Sequence, residues 1–143
     1  MTPTTMTPAM PPFLARVLLV DAALSGLTAL ALLADAEPLS AWLGLPAGAL
    51  RMLGALLVPW AALLAWLGTR RVAHRVAVGA VVALNFLWVL DCALGAFGLF
   101  GAPQGPGVAV FAVQAIGTFV IAELEWMGLR RAAPARGVAG LPA

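Results

Sequence analysis

The chain has 143 residues, enough for one domain and too few for two ordinary soluble ones. It is 63% hydrophobic and 10% charged, where soluble domains are roughly 45–50% apolar and about 25% charged. So few charges cannot cover a water-soluble fold of this size, and most of the surface must meet lipid. A net charge of +2, with no Lys/Arg run interleaved with aromatics, also excludes a nucleic-acid footprint.

Residues 1–12 are rich in Thr, Pro and Met and carry no charge. They lack the basic segment of a secretory signal and are predicted to form a short disordered tail. The first apolar run, 13–34, follows Pro11 and Pro12, a placement suited to a helix start. Three more runs follow at about 49–69, 76–100 and 107–129, the last opening on Gly105-Pro106-Gly107. Each reaches the roughly 20 helical residues needed to cross a hydrocarbon core of about 30 Å. None alternates with period two, so strands are excluded, and only helices then satisfy the backbone inside lipid. Pro59 falls inside the second run, where it removes a hydrogen bond and is expected to kink the helix. Between the first two runs, Pro38–Leu45 contains Trp42 among leucines and is expected to lie flat at the interface. Residues 132–143 form a predicted flexible tail.

The arginines orient the bundle. Arg16 lies early in the first span, Arg70, Arg71 and Arg75 join the second to the third, and Arg130, Arg131 and Arg136 follow the fourth. Only Arg51 falls on the opposite side, near Asp35 and Glu37. The positive-inside rule therefore predicts an all-α membrane protein, a bundle of four transmembrane helices with both termini cytoplasmic. Trp66 and Trp126, near the inner ends of spans two and four, read as interfacial anchors. A weak internal repeat is also legible. Val20-Asp21-Ala22-Ala23-Leu24 matches Leu90-Asp91-Cys92-Ala93-Leu94, and Trp66-Leu67-Gly68-Thr69-Arg70-Arg71 matches Trp126-Met127-Gly128-Leu129-Arg130-Arg131. These suggest two parallel helical hairpins related by an axis along the membrane normal. Against that, Asp21 and Asp91 stand at different depths in their spans.

Ionisable groups inside a span cost about 2.5–3.5 kcal/mol at its centre, so each is a functional candidate. Asp21 leads, forming an i, i+4, i+7 stripe with Ser25 and Thr28 that should face the bundle interior. Asn85 shares a face of the third span with Cys92. Gln114, Thr118 and Glu125 share a face of the fourth, with Glu123 almost opposite. Asp21, Ser25, Asn85 and Gln114 form the candidate intramembrane polar or proton site. The bland alternative is that such groups simply hydrogen-bond helix to helix. Asp91 is expected to pair with Arg51. Arg70, Arg71, Glu123, Glu125, Arg130 and Arg131 are expected to occupy the cytoplasmic interface, the two glutamates snorkelling toward the arginines. Gly26, Ala29, Gly54, Ala61, Gly79 and Gly117 offer close-packing positions.

The single histidine, His74, lies in the arginine-rich loop, and Cys92 is the sole cysteine. Paired haem ligands, cysteine metal clusters, a Ser/His/Asp set and phosphate-cradling glycine loops are all missing from the sequence. No enzyme activity, cofactor or metal is therefore expected. The expected partners are the lipid bilayer and either another membrane protein or a second copy.

The segments Leu18-Leu19-Val20-Asp21-Ala22-Ala23-Leu24-Ser25-Gly26, Ala83-Leu84-Asn85-Phe86-Leu87-Trp88-Val89 and Ala122-Glu123-Leu124-Glu125-Trp126-Met127-Gly128-Leu129-Arg130-Arg131 resemble those of small four-span bacterial integral membrane proteins of unassigned function. The resemblance covers most of the chain after Pro12. It implies a bacterial inner-membrane location and brings no activity with it. Two functions remain in view. The first is a non-enzymatic accessory or scaffolding subunit, or a homo-oligomeric bundle. The alternative is a small proton-coupled transporter, with Asp21 as the protonation site and the Asn85/Gln114 region facing substrate.

Overall fold

The computed structural model describes residues 9–132. They form α1 (Pro12–Ala34), α2 (Ala36–Leu43), α3 (Ala47–Gly68), α4 (Arg75–Ala96) and α5 (Gly105–Arg131). Four of these helices, all but α2, are long and apolar enough to cross a membrane, and the chain reads as a multi-pass membrane protein. Among the described residues the only extended pairing is an isolated bridge between Ala9 and Val72. With it goes a hydrogen bond from the Met10 N–H to the Arg71 carbonyl, so the last residues of the expected disordered tail are pinned to the α3–α4 turn. Most of that tail, and all of the C-terminal one beyond Ala132, lies outside the described residues.

Prolines set the helix starts as the sequence predicts. Pro12 opens α1, Pro46 precedes α3, and Pro106 sits in the first turn of α5, where a missing N–H costs nothing. The third span stops at Ala96, short of the predicted Phe100. Gly98 takes a left-handed φ of 88°, its N–H bonds to the Gly95 carbonyl, and the Leu99 N–H reaches back to Leu94. That is a Schellman stop, which hydropathy alone cannot register because Phe97, Leu99 and Phe100 are apolar. Most of the segment Pro38–Leu45 falls in α2, which begins after a single intervening residue, Asp35.

α1 packs along α3, and α4 packs along α5. Small residues form the first seam. A Cβ on Gly54 would stand 3.2 Å from the Ala29 carbonyl, and one on Gly68 would stand 3.2 Å from that of Ala15, with Ala61 facing Gly26 between them. The spacing Gly54–Ala61–Gly68 is a heptad, the repeat that keeps a seam on one side of two crossing helices. In the second pair, the Phe111 ring lies flush on Gly95. Gly117, expected at a packing face, instead meets nothing within 4 Å.

The two hairpins join mainly where α1 meets α5, with Gly128 against Leu14. Around that joint, Leu14, Leu18, Leu64, Leu67, Val78, Val81 and Leu129 converge from all four long helices. This apolar plug closes the end that carries the arginines. At the opposite end α3 and α4 have no comparable packing, and α2 bridges from α3 to α5.

The α2 bridge depends on Gly44. It ends α2 with φ of 73°, and an added Cβ would stand 2.6 Å from the Ala102 carbonyl oxygen and 2.9 Å from the Gln104 nitrogen. The Gln104 N–H in turn bonds to the Leu43 carbonyl at 3.0 Å. Gly44→Ala is expected to cost about 2 kcal/mol through left-handed strain and the clash. Melting in detergent should fall measurably, whereas Gly48→Ala, which meets nothing within 4 Å, should leave it unchanged or higher.

Candidate functional site

Asp21 sits near the middle of α1, and its side chain is buried at 6% exposure, turned into the bundle as the polar stripe predicts. The Ser25 hydroxyl, one turn on, donates to Asp21 Oδ1 at 3.3 Å. Thr28 completes the stripe but donates to the Leu24 carbonyl of its own helix at 2.9 Å. From α4, the Asn85 amide nitrogen donates to Asp21 Oδ2 at 3.1 Å and to Glu125 Oε2 at 3.0 Å. An amide has two N–H groups, and here both are used, one on each carboxylate. The bond to Glu125 lies within the α4–α5 hairpin. The bond to Asp21 crosses from one hairpin to the other.

Glu125 is fully buried, and its second oxygen, Oε1, has no hydrogen-bond partner. The expectation that it snorkels to the cytoplasmic interface is therefore corrected. Gly128, three residues on, seats α5 on α1, so the face that carries Glu125 turns inward rather than toward the arginines. The sequence held the signal, since Gln114, Thr118 and Glu125 share that face. Glu123 stays half-buried, and Arg130 and Arg131 are exposed, with the Arg131 guanidinium 5.3 Å from the Phe13 ring. Arg70 lies 4.1 Å over Trp66, which also stacks on His74, forming an aromatic and cationic rim at the arginine end.

The expected Asp91–Arg51 pair is not formed. Arg51 bonds to Glu37 at 2.8 Å in an exposed salt bridge, because α2 folds back beside α3 and brings Glu37 to it. Asp91, on the face of α4 that α3 leaves uncovered, lines open space instead.

That space is a cavity of about 990 Å³ between the hairpins. All four residues of the predicted polar site, Asp21, Ser25, Asn85 and Gln114, line it, together with Asp91 and three tryptophans, Trp42, Trp60 and Trp88. Among the described residues, no arginine or histidine contributes to its wall. A smaller cavity of about 330 Å³ adjoins it across Trp88 and Asp91 and includes the buried Cys92. The remaining wall is mostly leucine, isoleucine and valine. Chemically, the arrangement offers acceptors and negative charge at one spot in an apolar enclosure. Two carboxylates that share one neutral donor, with no cation beside them, form a site for a proton or a positively charged guest.

The chain matches no family model, no curated protein and no solved structure.

Proposed function

We propose that this is a small proton-coupled transporter of the bacterial inner membrane, with both termini cytoplasmic and the Asp21–Asn85–Glu125 cluster as its proton site. The observation that carries the reading is the convergence of Asp21, Ser25, Asn85 and Gln114 on one cavity, with the cluster linking the two hairpins. The arginine distribution supports the orientation, with the apolar plug toward the cytoplasm and the cavity toward the outer side in this reading. The resemblance to small bacterial four-span proteins supports the location. The accessory-subunit reading rests on the lack of catalytic groups and on the small-residue packing faces, while the cavity gives the transporter reading a physical site.

The charged surroundings of Asp21 are few. From α5 it faces Glu125, through the shared Asn85 amide of α4. From its own helix it faces Ser25. The one charged side chain on α3, Arg51, and the one on α2, Glu37, are occupied with each other at the far end. Asp91 of α4 lies across the cavity, and Arg75 of α4 reaches the Leu129 carbonyl at 3.4 Å. A proton on either clustered carboxyl removes the repulsion between them, and losing it frees a negative charge beside the cavity.

Three tryptophans in the cavity wall report on that event. In lipid nanodiscs the wild-type protein should show a pH-dependent change in intrinsic fluorescence. Asp21→Asn should abolish or displace it, and Trp60→Phe should reduce its amplitude. An unaltered transition in Asp21→Asn would show that the proton resides elsewhere, and the proposal would fall.

A further inference from the structure

Resting on this reading of the cavity, we infer that its guest is a lipophilic organic cation, drawn from the bilayer through the lateral opening between the hairpins and held by Asp21 and Asp91.

Three features of the cavity carry the assignment. The first is charge. Two carboxylates line the wall and a third, Glu125, stands behind Asn85, while among the described residues no basic side chain lines the space. In a low-dielectric enclosure a carboxyl gives up its proton only where another cation takes the proton's place, which neither an anionic nor a neutral guest can do. The cluster also retains a fully buried acceptor, Glu125 Oε1, without a partner. The set is therefore short of positive charge and of donors.

The second feature is the wall. Apart from the carboxylates and a few neutral polar groups it is mostly apolar, and it includes Trp42, Trp60 and Trp88, whose ring faces attract cations. Among the described residues no three acidic, histidine or cysteine side chains converge as a metal ion would require. Asp91 lies six residues beyond Asn85 on α4, about 9 Å along the helix axis, so the charges are spread along a guest of molecular length. That geometry suits an organic ammonium or phosphonium with an apolar body.

The third feature is access. Leu56, Leu84 and Val113 line the cavity yet are 61%, 49% and 71% exposed, so the space opens sideways between helices rather than being sealed inside the bundle. In a membrane that opening faces hydrocarbon. An apolar guest already dissolved in the bilayer reaches it without crossing water, meets Asp91 in the outer part of the opening, and proceeds to Asp21. No covalent step is involved. The cation and a proton compete for the same carboxylates.

Tetraphenylphosphonium and tetraphenylborate, ions of nearly the same size and opposite charge, test this directly. Binding is measured to protein in nanodiscs and corrected against empty nanodiscs of the same lipid. The phosphonium should bind above the empty-disc baseline and the borate should not. Affinity should weaken about tenfold or more in Asp21→Asn, the loss expected for one charge contact in a partly screened site, and should also weaken in Asp91→Asn. Gly117→Leu, which adds bulk to the cavity from a position with free space and leaves every charge and every tryptophan in place, should weaken phosphonium binding while preserving the pH-dependent fluorescence change. Borate binding as tight as phosphonium binding would overturn the cation assignment. So would phosphonium binding equal in wild type, Asp21→Asn and Asp91→Asn. If neither ion binds but the fluorescence transition persists and still depends on Asp21, the guest is wrongly assigned while the proton site stands. If the transition is missing as well, both proposals fall.

Discussion

Replacing Asn85 with leucine is expected to cost about 3 kcal/mol of bundle stability, well above the roughly 0.6 kcal/mol of an average interhelical hydrogen bond in a membrane protein. Asn85 is 4% exposed and, among the described residues, is the only donor to Asp21 Oδ2 and to Glu125 Oε2. Leucine fits the volume but leaves two acceptors facing each other with nothing between them. The loss is large only if at least one of those carboxyls carries charge, since bonds to ionised groups are worth about twice neutral ones. The size of the effect therefore reports the charge state of the cluster. In an Asp21→Asn, Glu125→Gln background the same substitution should cost about 1 kcal/mol, a coupling of about 2 kcal/mol. Reversible unfolding in mixed micelles would measure both. Equal costs in the two backgrounds would show that Asn85 is only a spacer between neutral side chains.

The four long helices were legible because lipid imposes one requirement, uninterrupted apolar length, which hydropathy reads directly. Their ends were legible where proline or arginine marked them. The α4 terminus was not, because its stop depends on the backbone of Gly98, and the residues on either side of that glycine remain apolar. The extent of α2 was obscured for the opposite reason. Asp35 and Glu37 look like loop residues, yet Asp35 is the single residue between α1 and α2 and Glu37 lies in the first turn of α2. How the helices pair was only partly legible. Gly54 and Ala61 marked packing positions on α3, but neither named α1 as the partner, and Gly68, which completes the heptad, was not among the expected positions.

The candidate site shows the same division. Asp21, Ser25, Asn85 and Gln114 stood out because a polar group is conspicuous in an apolar run, and all four reach one cavity. Glu125 and Asp91 were misplaced because each was judged by neighbours close in sequence or depth. Glu125 lies six residues before Arg131, about 9 Å along the helix, within reach of a snorkelling side chain. What decides its direction is the rotation of α5, fixed by Leu14 over a hundred residues earlier in the chain. Arg51 was matched to Asp91 by depth alone, and the fold of α2 supplied a nearer carboxylate in Glu37.

That same joint yields the other large effect, a loss of about 3 kcal/mol in Gly128→Val. A Cβ at this position would stand 3.0 Å from Leu14 Cβ and 3.3 Å from its Cα, and Leu14 is fully buried at the start of α1. Overpacking costs about 1–3 kcal/mol where neighbours can yield. Here the neighbour is partly backbone, and valine adds a branch, so the upper end applies. Within each hairpin the packing is untouched, and the Asn85–Glu125 bond should survive because both residues belong to the α4–α5 pair. The Asn85–Asp21 bond crosses the joint and should be lost. The distinguishing result is therefore in the couplings. In a Gly128→Val background, Asn85→Leu should keep its coupling to Glu125→Gln and lose its coupling to Asp21→Asn. Gly117→Val, on the same helix but facing free space, should change stability by no more than about 0.5 kcal/mol. If Gly128→Val proved as stable as Gly117→Val, with the Asp21 coupling intact, the hairpins would be held together by the polar cluster and not by this apolar joint.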